Sequence, residues 1–259
     1  MRPPAEDVER RRAEREAAAR AKPVAPRVTQ VFMAMLLPFL ILIGAVRAVA
    51  SPVFLWAEYF RPGFPGDGYG FSSEDRLTYG SYAVDYLANF ASPRYLGDLV
   101  LASGEKLFSE REVAHMADVK LVVLSAYGAG AALLVFFVVV YLAIRRTRGA
   151  FARGLFAGSL VTVFLVVALA VLGLLGWQQF FTEFHRIFFA DGTWTFSLED
   201  TLIRLFPGQF WIDAALAIAV LTFVTAVLIA VFTWPRRVRE DDGGTALEES
   251  GSDEAGPAA

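Results

Sequence analysis

Cysteine is absent from this chain, and histidine occurs only twice, as His115 and His185. The first absence excludes disulfide bridges, thiolate nucleophiles and thiolate metal sites together. The second confines chemistry near neutral pH to two side chains, because no other residue type titrates there without a large shift. Familiar catalytic signatures are missing too: there is no G-x-S-x-G elbow, no P-loop and no H-E-x-x-H pair. Charge is also sparse, with Asp, Glu, Lys and Arg at 20% of residues against a hydrophobic share of 56%. The net charge of −3 carries no nucleic-acid signature, since the basic residues are divided among short loops, and no nucleic-acid partner is expected.

The chain is instead rich in uninterrupted apolar blocks. Four of them, at about residues 31–50, 121–144, 155–175 and 210–232, hold at least 20 residues each. At about 1.5 Å rise per residue each is long enough for the roughly 30 Å hydrocarbon core of a bilayer. The expected fold is an all-α membrane protein with four transmembrane helices and a small mixed α/β extracytoplasmic cap. Orientation follows from arginine. The N-terminal tail, the loop holding Arg145, Arg146, Arg148 and Arg153, and the segment with Arg236, Arg237 and Arg239 share one side of a four-span topology. The positive-inside rule makes that side cytoplasmic. Residues 1–28 then form a basic cytoplasmic tail, 29–235 the membrane domain, and 236–259 a disordered cytoplasmic tail. The cap at 51–120 and the outer loop at 176–209 carry more acid than base and face outward. Trp177, Trp211 and Trp234 fall at span ends, as an aromatic belt requires.

Within the cap, Ser73 is placed to N-cap a helix from Glu74 toward Phe90. A hairpin is expected, with Leu99–Ala102 and Lys106–Phe108 flanking Ser103-Gly104. Ser109 and Glu112 have capping-box spacing, and no breaker separates the helix they begin from the second span. Ser197 and Asp200 have the same spacing before a short helix that Pro207 ends. Gly128, Gly130, Gly154, Gly158 and Gly173 allow close helix packing.

Two segments hold the candidate chemistry. On a continuous helix His115 stands about 9 Å above the apolar block that begins at Leu121. Asp118, three residues on, shares its face and is placed to orient the imidazole. An interfacial histidine facing water would show the same spacing. In WQQFFTEFHRIFFADGTW, Phe180, Phe184 and Phe188 repeat every four residues, which suits a helix lying in the interface with its aromatics in lipid. His185 then lies at the acyl–headgroup boundary with Glu183, Arg186 and Asp191 nearby, or it simply faces water. Arg47, near the outer end of the first span, and Arg204 sit at similar depth. Either could donate to an ester carbonyl or snorkel to phosphate.

The stretch FHRIFFADGTWTFSLEDTLIRLFPGQFWIDA, with HMADVK before the second span, resembles the Lit family of lipoprotein intramolecular transacylases and related membrane proteins. The resemblance covers about residues 30–235. It implies four spans, a cap, and transfer of the sn-2 acyl chain of a diacylglyceryl-cysteine lipoprotein to that cysteine's α-amino group, giving a lyso-form lipoprotein. Carried over, the resemblance makes His185 the base and His115 the second essential histidine. Helix spacing adds Asp118 as the residue that aims His115, and Arg47, Arg204, Arg186 and Trp194 are the candidate substrate-binding residues. Diacylglyceryl lipoproteins and membrane lipid are the implied partners, no cofactor is expected, and the chain acts as a monomer.

Two other readings fit the same pair of histidines. One is a b-type haem held between them, although both lie outside the span interiors where a membrane haem would be held. The other is a receptor or assembly module whose cap binds a partner without catalysis.

Overall fold

The computed structural model describes residues 7, 9–11, 24–145 and 149–235. Most of the N-terminal tail and all of the tail from residue 236, read as disordered, lie outside the described residues. From residue 24 the order is α1 (Val24–Val49), α2 (Pro52–Phe60), α3 (Ser73–Ala88), α4 (Arg94–Gly97), α5 (Glu110–Ile144), α6 (Ala150–Leu175), α7 (Trp177–Phe188), α8 (Thr201–Leu205) and α9 (Gly208–Phe232). Four of these, α1, α5, α6 and α9, are long and apolar enough to cross a membrane. The protein is a multi-pass membrane protein with a helical cap built from α2, α3 and α4.

Close approach of the spans is set by small residues. A Cβ on Gly154 would fall 2.7 Å from Met33 Sδ, and one on Gly158 would fall 2.9 Å from Leu37 Cβ. Those two glycines let α6 pack against α1. Gly130 does the same for α5, where Ile43 Cγ2 would be 2.8 Å away. Gly128 and Gly173 have nothing within 4 Å, so the packing role expected of them is not found. Met33, Leu37, Phe137 and Ala226 form the buried seam between spans.

At 35 residues α5 is about 52 Å long, some 20 Å more than the hydrocarbon core needs. Its first three turns, Glu110–Lys120, therefore stand outside the membrane-spanning part. The capping box that starts it is present: Ser109 Oγ accepts from the Glu112 N–H, and the Glu112 carboxylate accepts from the Ser109 N–H at 2.7 Å. Glu112 also accepts from the Leu202 N–H at 2.7 Å, and the Thr201 hydroxyl donates to Leu107 O. With Tyr59 Oη donating to Leu205 O at 3.0 Å, these bonds dock α8 between cap and spans. Leu55, Tyr86, Leu96, Leu107, Leu205 and Phe210 make the core beneath.

Three local expectations are corrected. Ser72, not Ser73, caps α3, because the reciprocal pair is Ser72 with Asp75; Ser73 Oγ donates to Tyr59 O instead. The hairpin reduces to one antiparallel bridge, Val100 with Lys106, so the cap carries no strand among the described residues. Arms this short cannot sustain a ladder, and Leu107 and Phe108 are drawn into the cap core. Finally, Asp200 rather than Ser197 is the N-cap residue of α8, its carboxylate accepting from the Ser197 N–H and hydroxyl in the turn before the helix. Phe206 ends α8, and Pro207 instead opens α9.

Candidate active site

Gly176 closes α6 and opens α7, so the chain turns there without a connecting loop. α7 is strongly two-sided. Phe184, Ile187 and Phe188 are exposed, as are Leu174 and Leu175 at the end of the adjoining span. That apolar face suits a helix lying at the membrane surface. His185 is half-buried on α7, with its Nδ1 2.8 Å from Phe181 O. A carbonyl only accepts, so Nδ1 carries the proton and Nε2 keeps its lone pair. One backbone contact thus selects the tautomer in which Nε2 is a base.

His115, on the projecting part of α5, is only 9% exposed. Phe189 joins the two histidines: its ring centroid is 5.1 Å from His115 and 5.7 Å from His185. Phe196 packs on His115 at 5.4 Å, while Phe181 and Trp194 flank His185 at 4.1 and 4.9 Å. This aromatic wall removes water from both rings. Burial pushes the His115 pKa down to about 4, helped by the neighbouring His185 and opposed by Asp118. Burial lowers His185 as well, and the Phe181 carbonyl opposes it. Both imidazoles are therefore neutral at neutral pH. Two buried polar atoms beside them have no hydrogen-bond partner, His115 Nδ1 and Trp194 Nε1. Orphaned buried groups of this kind mark a place where a polar ligand can be accommodated.

The other expected site residues are distributed differently. Asp118 is exposed and makes no hydrogen bond to His115; it acts only through space. Arg204 is committed to Asp67 at 2.9 Å and lies 3.4 Å from the centre of the Phe71 ring, inside the cap. Arg186 pairs with Glu183 at 3.0 Å on the exposed side of α7. Arg47 donates to Ala50 O at 3.3 Å and stands 5.9 Å from the Tyr127 ring. Trp194 alone of the four substrate-lining candidates touches a histidine. Phe189 and Phe196 were not singled out from the sequence. A groove of about 450 Å³ between α1 and α5, lined by apolar residues such as Phe39, Ile43 and Leu133, contains neither histidine.

Fold and site together define a four-span membrane protein with two neutral imidazoles in an aromatic enclosure beside the cap. Residues 31–211 match the profile of the lipoprotein intramolecular transacylase Lit, and the chain belongs to that family. Its fold is similar to that of the membrane-integral Lit of Bacillus cereus. TM-score is 0.67 at 23% identity, covering 80% of this chain and 94% of that one. A variant of that protein with one histidine replaced by arginine gives 0.64 at 21% identity, over 81% of this chain and 90% of the other. An uncharacterised protein of Aquifex aeolicus (strain VF5) is 27% identical over 203 residues, 78% of this chain and 92% of that relative.

Proposed function

We propose that this protein transfers the sn-2 acyl chain of a diacylglyceryl-cysteine lipoprotein to the α-amino group of the same cysteine. The observation that carries the proposal is the pair of neutral histidines joined through Phe189, one of which presents an unprotonated Nε2. In the first step the amine nitrogen attacks the ester carbonyl carbon, a C–N bond forms, and the amine proton passes to His185 Nε2. The negative charge then rests on the former carbonyl oxygen. A neutral His115 still carries one N–H, and Trp194 Nε1–H is an unspent buried donor; either is suited to hold that oxyanion. In the second step the acyl C–O bond breaks, and the sn-2 oxygen takes the proton back from His185. An amide and a free sn-2 hydroxyl result, with atoms and charge balanced and no acyl-enzyme formed. Both reacting groups belong to one lipid-anchored molecule, so the main task of the site is orientation.

On this reading both termini are cytoplasmic, as the basic loops suggest under the positive-inside rule, and the histidines belong at the extracytoplasmic face where mature lipoproteins reside. Asp118 then serves as a weak electrostatic tuner. Arg47 and Arg186 remain available to lipid phosphate, whereas the Asp67 pairing of Arg204 favours a structural task for it. The direct test is mass spectrometry of lipoprotein N-termini in cells with and without this protein. Lyso-form N-termini that depend on its presence are expected, and unchanged diacylglyceryl N-termini would reject the reaction.

A further inference from the structure

Between α7 and α8 the chain runs from Phe189 to Asp200 beside the start of α5, and its two ends are fixed independently. Phe189 N–H donates to His185 O at 2.8 Å, and beyond the other end Glu112 accepts from Leu202 N–H. The stretch between folds on itself, with the Thr193 N–H and hydroxyl both donating to Ala190 O at 3.2 and 2.9 Å. Among the described residues a single hydrogen bond ties Ala190–Phe196 to α5: Arg111 Nη2 donates to Thr195 O at 2.9 Å. The same guanidinium lies 5.7 Å from the centre of the Phe196 ring. Arg111 is one helical turn before His115 on the same face of α5, and Phe196 and Phe189 are the rings that bury His115.

We propose that Arg111 is a positioning residue of this site: by holding Thr195 and Phe196 it keeps the loop closed over His115 and seals that imidazole from water. The geometry makes the dependence direct. Without the guanidinium, Phe196 is held by its own packing and by the Ser197–Asp200 turn that follows it, and Phe189 by its place at the end of α7, while the stretch between them loses its bond to α5. The groups that act electrostatically on His115 are His185 from α7 and Asp118 from its own helix. Phe189 and Phe196, packed on it, are neutral, so opening the loop changes its solvation more than its charge environment. Arg111 itself is exposed and is not among the buried core residues of cap or spans.

The test uses the full chain in detergent micelles as wild type, Arg111→Met and Arg111→Lys. Methionine keeps an apolar stem against Phe196 and removes the donor, whereas lysine can still donate to Thr195 O. The imidazole titration of His115 is followed by NMR, its signal assigned with a His115→Gln control, together with hydrogen exchange of the 190–196 amides. In Arg111→Met the His115 titration is expected to rise by about one unit or more toward the ordinary value, with loop exchange faster by on the order of tenfold. Arg111→Lys is expected to recover most of both. Wild-type titration and exchange in Arg111→Met would overturn the proposal, as would a lysine variant no better than methionine. The catalytic consequence rests on the transacylase reading: kcat in Arg111→Met should fall about tenfold with KM little changed, since a preorganised donor is loosened and not removed. If the wild type itself converts no lipoprotein, the transacylase reading fails, while titration and exchange still decide the role of Arg111.

Discussion

Replacing His185 separates chemistry from packing if the substitute keeps an aromatic ring. His185→Phe preserves contacts equivalent to those with Phe181, Trp194 and Phe189 at 4.1, 4.9 and 5.7 Å. What it deletes is the Nδ1 bond to Phe181 O and the lone pair of Nε2. The hydrogen bond is worth about 1 kcal/mol net, and at a half-buried position its loss leaves the fold intact. Loss of a general base costs on the order of 10²–10⁴ in rate, equivalent to about 3–5 kcal/mol of barrier. Rate should therefore collapse while thermal stability moves little. The assay is conversion of a diacylglyceryl lipoprotein to the lyso form, read by mass spectrometry at matched membrane levels of wild type, His185→Phe and His185→Ala. Alanine should lose both activity and some stability, because it also empties the space between Phe181 and Trp194. Conversion by His185→Phe within a few-fold of wild type would show that Nε2 takes no proton in the rate-limiting step, and the mechanism would fall.

Glu112→Ala removes the acceptor of the Ser109 N–H and hydroxyl and of the buried Leu202 N–H, so a loss of about 3 kcal/mol or more is expected. Its melting temperature in detergent should drop clearly, and an unchanged value would mean α8 is not held through this carboxylate. His115 has a folded pKa of about 4 against 6.5, so between these values the unfolded chain binds more protons and stability falls as pH is lowered through that window. Acidification from pH 7 to 4 should cost on the order of 3 kcal/mol through this group, and His115→Phe should flatten that part of the stability profile. For topology, reporter fusions after residues 90 and 195 should be active only in extracytoplasmic form, and fusions at 148 and 240 only in cytoplasmic form. A cytoplasmic signal at 90 would reverse the orientation.

What the sequence made legible was whatever is decided within a few residues. The four spans follow from block length, and the continuity of α5 from Ser109 and Glu112 with no glycine or proline before the span. The amphipathic α7 follows from Phe180, Phe184 and Phe188. Pairings that depend on the third dimension were not legible. The α3 cap is an exception, a local feature that was misread: Ser72 stands three residues before Asp75, the reciprocal spacing of a capping box. Arg204 reads like a membrane-facing cation until Asp67, 137 positions earlier, is placed beside it. Arg111 meets Thr195 across 84 positions, and Phe189 and Phe196 look like any other aromatic in a segment full of them. Their task is visible only once the loop is laid over His115.

The roles proposed for the two histidines rest on these surroundings, since the residue types are identical. A general base works best with a pKa near the operating pH and an open path for the proton it exchanges. His115, sealed by Phe189 and Phe196 and held at about 4, would hold a proton only against a steep penalty at neutral pH. A donor role carries no such penalty, because the neutral ring already has its N–H and burial strengthens the bond it makes to an oxyanion. His185 is the more open ring, and the Phe181 carbonyl both fixes its tautomer and favours its protonated form. In the proposed transacylation that contact would serve the base in each half, leaving Nε2 free to accept a proton and stabilising the imidazolium until the sn-2 oxygen takes the proton away. An exchange of roles would require His115 to gain solvent and His185 to lose its carbonyl partner, and the packing of α5 against the 189–196 loop opposes the first of these.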